Sequence, residues 1–99
     1  MEVRFASIRL QKCYESSSDA SRTWGQQVAR KYIQRINALY AVEGFQELYS
    51  IRAIRLHKLS GDREGQYAIA LDRRWRLIVT HLEAEGKIRV EEVTQHYGD

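Results

Sequence analysis

Apolar residues return along this chain at two different intervals. Between residues 20 and 43, Trp24, Val28, Tyr32, Ile36, Leu39 and Val42 recur at every third or fourth position, while Arg22, Gln27, Arg30, Lys31, Gln34 and Arg35 fill the places between. That interval predicts one amphipathic helix of about six turns, with a single apolar stripe to bury. Beyond residue 50 the interval falls to two. Ile54 and Leu56, then Tyr67, Ile69 and Leu71, then Trp75, Leu77 and Val79, then Ile88 and Val90 alternate with other residues. This predicts strands over 53–59, 66–72, 75–82 and 87–93.

The flanking segments complete the expected order. Residues 2–6 alternate weakly and fit a short first strand; residues 7–15 fit a helix with Ile8, Leu10, Cys13 and Tyr14 on one side. Glu15-Ser16-Ser17-Ser18-Asp19 breaks that helix and supplies caps for the next. Gly44 is expected to end the long helix, with one more helical turn at 45–50. Pairing Leu71 with Trp75 keeps two apolar faces in phase and requires a three-residue turn at Asp72-Arg73-Arg74. With the apolar parity under the helices, Arg55, His57, Gln66, Arg76, Thr80, Arg89 and Glu91 share the opposite face. The expected class is α+β: an antiparallel sheet with N-terminal helices packed on one face.

Composition narrows the setting. Ninety-nine residues without proline, repeats or low-complexity stretches fit a single domain over 1–99. No run approaches the ~20 apolar residues of a membrane span, the start Met-Glu-Val-Arg-Phe has no leader-like pattern, and the cytoplasm is the expected location. The single cysteine, Cys13, reads as a small buried residue on a helix.

The net charge is only +3, but it is unevenly spread. Residues 52–76 carry seven basic and three acidic side chains, whereas residues 77–99 carry two basic and five acidic ones. A basic meander beside an acidic last strand predicts one face for a polyanion.

The chemistry that such a face could perform is set by the residues on it. His57 shares its parity with Arg55 and Arg76, and Lys58, Arg63, Arg73 and Arg74 lie in the same meander. Arginine grips two phosphate oxygens at once, and an imidazole exchanges a proton near neutral pH. RNA cleavage by the adjacent 2′-hydroxyl asks for little more: a base, an acid and cations for the charge growing at phosphorus. His96 and Tyr97, beyond the last strand, could fold over the sheet end and supply a second titratable group. His81, in phase with Trp75, Leu77 and Val79, is expected to be structural or solvated. Three histidines at 57, 81 and 96 have no metal-ligand spacing, so no metal site is expected. Neither a phosphate-binding glycine loop nor a nucleophilic serine elbow is present in the sequence.

Leu56-His57-x-Leu59-x-Gly61-Asp62-Arg63-x-Gly65-x-Tyr67-x-Ile69, followed by Trp75-Arg76-Leu77, resembles the HigB toxins of the RelE/ParE superfamily, also called plasmid maintenance or proteic killer proteins. The resemblance implies a RelE-like fold and a ribosome-dependent, metal-free mRNA endoribonuclease that uses no cofactor and stops translation. It also implies a HigA-like helix-turn-helix antitoxin as partner, with operator DNA bound only through the antitoxin complex. By position, His57 matches the family's strand-borne catalytic histidine, Arg76 its phosphate-binding arginine, and His96 the histidine after the last strand. Ser60 stands where the family often has lysine, and Thr94-Gln95-His96 where it has Asp-Tyr-His. Two alternatives stay open on the residues alone: a ParE-like toxin that poisons DNA gyrase, and an inactive RNA-binding module of the same fold.

Overall fold

Serine residues organise the start of the chain. In the computed structural model, which describes residues 1–63 and 65–95, strand β1 (Glu2–Phe5) runs into helix α1 (Ile8–Glu15). Ser7 caps α1 by accepting the Leu10 N–H at 3.1 Å. Ser16 then serves two helices. Its own N–H closes α1 on the Lys12 carbonyl, and its Oγ accepts the Asp19 N–H to open α2 (Ser17–Trp24). A side-chain oxygen at such a position satisfies an amide that the helix leaves without a partner.

The long helix expected over 20–43 is two helices. Gly25, at φ +87, ends α2, and α3 (Gln26–Ala41) starts after it. Glycine adopts that backbone without the clash a Cβ would bring, and the break lets Trp24 turn its ring onto Tyr32, with centroids 4.7 Å apart. The apolar stripe of α3 is buried as its spacing predicts, through Val28, Tyr32, Ile36 and Leu39. Tyr32 donates from its hydroxyl to the Leu10 carbonyl at 2.7 Å, and burial pushes its phenol above the ordinary tyrosine range. α3 stops at Ala41, three residues before Gly44. Gly44 is extended, and the Glu47 carboxylate accepts the N–H groups of Glu43 and Gly44 to start a 3-10 helix, Phe45–Ser50.

The meander that follows is β2 (His57–Lys58), β3 (Gln66–Ala70), β4 (Trp75–Leu82) and β5 (Lys87–Gln95). In the sheet the order is β1-β5-β4-β3-β2. The four later strands are antiparallel to one another, as expected. β1 instead lies parallel to β5, with Val3 opposite Ile88, so the sheet is mixed. A parallel pair needs a long crossover, and the helices and the meander together supply one. The turn is the predicted three-residue one: Leu71 N–H donates to the Trp75 carbonyl at 3.0 Å, in register with Ile69 opposite Leu77.

The core lies between the helices and one face of the sheet. Leu10, Cys13, Tyr32, Ile36 and Leu39 meet Ile69, Leu71, Leu77, Val79, Ile88 and Val90. Near its edge, His81 stacks on Phe45 with ring centroids 4.0 Å apart, the structural role expected for it.

Two expectations from periodicity are corrected here. Arg35, assigned to the polar side of the long helix, is only 9% exposed. Its Nε donates to the Ala70 carbonyl at 2.9 Å and its Nη2 to the Ala53 carbonyl at 3.1 Å. Burial lowers the Arg35 pKa from its ordinary value, but the bonds to backbone carbonyls make a charged group tolerable there. Likewise the strand expected over 53–59 shrinks to His57–Lys58. Arg52–Ile54 is a 3-10 turn that buries Ile54, and Arg55 after it is left-handed at φ 50. Arg55 is therefore a turn residue and not a strand residue.

Candidate active site

The face of the sheet away from the helices forms an open cleft. Strand pleating puts His57, Ala68, Ile78 and Glu92 in one row across β2 to β5, with Ala70, Arg76 and Thr94 in the next. Two of the side chains lining the cleft are alanines, Ala68 and Ala70. Ala68 and Ile78 are buried on this side, outside the main core, and with Ala70 they floor a cavity of about 750 Å³. Arg55, His57, Arg63, Arg76 and Thr94 stand around it, with Leu56, Leu59 and Gln95 completing the lining.

Each polar wall has a local cause. His57 is exposed at the beginning of β2, and the β2–β3 ladder continues past it as Leu59 N–H bonds the Gln66 carbonyl. The connection after β2 makes a short 3-10 turn, Gly61–Arg63, which opens on Gly61 at positive φ and is followed by Gly65, also at positive φ. From this turn Arg63 reaches Glu92 on β5, Nη2 to Oε2 3.4 Å. Arg76, half-buried, donates from Nη1 to the carbonyls of Asp72 at 2.7 Å and Trp75 at 3.0 Å. Those two bonds leave the Nε–Nη2 edge of the guanidinium, the edge that fits two phosphate oxygens.

A bulge decides which residues of β5 take part. Ile78 pairs with Glu92 and the next residue, Val79, pairs with Val90, so Glu91 is extra. Upstream, Ile88 and Val90 face the core; downstream the parity reverses, and Glu92 and Thr94 lie on the cleft side. Glu91 itself accepts from Thr80 and from Arg89, Nε to Oε2 2.8 Å. The acidic strand thus neutralises Arg63 and Arg89, whereas Arg55 and Arg76 have no carboxylate partner among the described residues.

Four residues singled out in the sequence therefore meet in one cleft: Arg55, His57, Arg63 and Arg76. Three others do not line it. Lys58 is exposed and pairs with Tyr67, on the opposite parity to His57. Arg73 and Arg74 border a separate depression of about 370 Å³ with Gln27, Asp72 and Trp75. His96 and Tyr97 lie outside the described residues. Among the described residues, no group of three or more His, Cys, Asp or Glu side chains is placed to hold a metal ion, and no helix is long and apolar enough to cross a membrane.

Sequence reasoning missed the cleft floor and Thr94. The floor had a signal: Ala68 and Ala70 alternate with Tyr67, Ile69 and Leu71, leaving small residues on the side away from the helices. For Thr94 the periodicity gave none, because strict alternation from Val90 puts residue 94 on the core side; only the resemblance drew attention to it, as a departure from the family's terminal Asp-Tyr-His.

Comparison with known proteins identifies the family and the fold. The HigB-like toxin family, described as the RelE-like toxin of the type II toxin-antitoxin system HigB, matches residues 3–96. No curated protein matches the chain by sequence. Several solved structures share the fold. A mutant of YafQ from E. coli superposes with a TM-score of 0.65 at 15% identity, over 95% of this chain and 91% of that one. A YoeB/ParE toxin from Agrobacterium tumefaciens gives 0.59 at 15% identity, over 98% of this chain and 100% of that one. The YoeB-YefM complex from Staphylococcus aureus gives 0.55 at 18% identity, over 98% of each chain. The sequence match over 3–96 carries the assignment, and the chain belongs to the HigB-like toxins, RelE-like toxins of type II toxin–antitoxin systems.

Proposed function

We propose that this toxin is a ribosome-dependent endoribonuclease that cuts mRNA in the cleft between β2 and β5 and so stops translation. The observation that carries the reading is the convergence of His57, Arg55, Arg63 and Arg76 on one cavity floored by Ala68, Ala70 and Ile78. His57 and Arg76 stand two strands apart, about 10 Å in the pairing direction at ~4.8 Å per strand. Side chains reaching inward from both sides can flank one ribose and its phosphate. The ribose 2′-oxygen loses its proton and attacks the adjacent phosphorus, and the bond to the departing 5′-oxygen breaks as that oxygen gains a proton.

His57 is one proton carrier in this scheme, and His96, which follows the last residue of β5 in sequence, is the other. Arg76 holds two non-bridging oxygens through its Nε–Nη2 edge as charge grows on them. Arg55 and Arg63 hold neighbouring phosphates. The small floor leaves room for a base, whose stacking the apolar Ile78 and Leu56 would favour. Lys58, Arg73, Arg74 and Tyr97 are assigned to flanking RNA. The proposed partner is a HigA-like helix-turn-helix antitoxin, through which alone the pair contacts operator DNA, and the site of action is the cytoplasm.

Primer extension on cellular mRNA after induction tests the reading. Discrete new 5′ ends within translated frames, absent with His57→Ala, are expected. Intact mRNA with accumulating DNA breaks would overturn it in favour of a gyrase poison, and intact mRNA with RNA binding alone in favour of a binding module.

A further inference from the structure

The β3–β4 turn is built around one carboxylate. Asp72 Oδ1 accepts the N–H of Arg74 at 2.9 Å and that of Trp75 at 2.8 Å. These amides lie in a three-residue connection, and the carboxylate gives both a partner within the turn. The turn so closed aims two carbonyls at one point. Trp75 O accepts from Leu71 N–H at 3.0 Å and Asp72 N–H at 3.4 Å, and Arg76 Nη1 then donates to Trp75 O and to Asp72 O.

We propose that Asp72 is a positioning residue for Arg76, holding the turn whose two carbonyls orient the guanidinium toward the cleft. The proposal rests on the reading of the cleft as a phosphate site and adds a residue that does not touch RNA. Its physical content lies in the choice of acceptors. A carboxylate placed against Arg76 would orient it equally well but would neutralise it, and phosphate would have to displace that partner. Neutral carbonyls take the two Nη1 protons and leave the full cationic charge, together with the Nε–Nη2 edge, for phosphate. The charge of Asp72 is spent on backbone amides instead. An arginine fixed before substrate arrives need not be ordered during the reaction, which is where misplacement by about 1 Å can cost ~100-fold in rate.

Two variants and two measurements test this. Asp72→Ala removes the acceptor; Asp72→Asn keeps an Oδ1 that can accept both amides. In single-turnover cleavage on programmed ribosomes, Asp72→Ala is expected to slow the bond-breaking step roughly 10–100-fold with half-saturation changed less than about threefold. Asp72→Asn should restore the rate to within about threefold, and in an Arg76→Ala background Asp72→Ala should add little. A slow Asp72→Asn that remains folded, or full additivity with Arg76→Ala, overturns the proposal. The second measurement needs no activity: nitrogen-detected or proton-detected NMR of the Arg76 guanidinium. Slow rotation about its Nε–Cζ bond, visible as separate Nη signals, is expected in the wild type and in Asp72→Asn and should vanish in Asp72→Ala. Free rotation in the wild type, or slow rotation surviving in Asp72→Ala, overturns it. If the wild type cuts no mRNA yet shows Asp72-dependent restriction of Arg76, the nuclease reading fails and the positioning stands.

Discussion

Arg63 and Glu92 meet across the cleft face, Nη2 to Oε2 3.4 Å, although they belong to the β2–β3 connection and to the far strand β5. Both side chains remain nearly half exposed, at 46% and 47%. A pair of that kind contributes at most about 1 kcal/mol and is readily exchanged for another partner. If RNA enters the cleft as proposed, its phosphate competes with Glu92 for Arg63. Glu92→Gln should bind a non-cleavable, 2′-O-methylated oligonucleotide up to about fivefold more tightly. The slope of log affinity against log salt should steepen by about 0.7 if one more phosphate is engaged. Fluorescence anisotropy across a salt series measures both. An unchanged affinity and slope would show that Arg63 takes no part in binding.

Arg76→Ala should slow cleavage on the order of a hundredfold, the loss expected when one donor to a developing phosphorane charge is removed. The fold should persist, since Arg76 projects from the cleft side while Trp75 and Leu77 hold β4 against the core. Circular dichroism and thermal melting alongside the kinetics separate the two effects. A variant that is unfolded where the wild type is stable would contradict this placement of Arg76.

Arg35 ties the cleft together from behind. It bonds Ala70, the pairing partner of Arg76, and Ala53, two residues before Arg55. Arg35→Met keeps most of the buried volume but leaves two carbonyls without their charged donor, at ~1.5–3 kcal/mol for each such bond. We expect a loss of about 3–5 kcal/mol of unfolding free energy in urea titration. Arg35→Lys should recover only part, because an ammonium cannot reproduce the fork. A loss below about 1 kcal/mol for Arg35→Met would mean that water replaces the guanidinium at little cost.

His96→Gln tests the second proton carrier. If His96 gives or takes a proton in the reaction, single-turnover cleavage should fall by roughly 10²–10⁴ and one limb of the rate–pH profile should disappear, with mRNA binding unchanged. Wild-type rates with an unaltered profile would leave catalysis to His57 and Arg76.

Periodicity by itself determined the elements whose apolar stripe is regular and whose ends carry their own chemistry. The strand at 75–82, the three-residue turn and the helix opening after the serine cluster follow from local geometry, in which a pleat alternates every residue and a side-chain oxygen caps a neighbouring amide. His57 and Arg76 could be placed on one face for the same reason. Tertiary structure decided what depends on distant partners. Gly25 breaks a continuous helical stripe, and the break brings Trp24 onto Tyr32 from the preceding helix. Arg35 is buried because two carbonyls, from β3 and from the turn before β2, converge on it. β1 runs parallel to β5, a pairing between the two ends of the described chain that no local pattern encodes. The bulge at Glu91 turns Glu92 and Thr94 into the cleft, so that β5 faces the core at Ile88 and Val90 and the cleft a few residues later. Alternation reports only that a strand has two faces; which face is which after a bulge is set by the strand beside it.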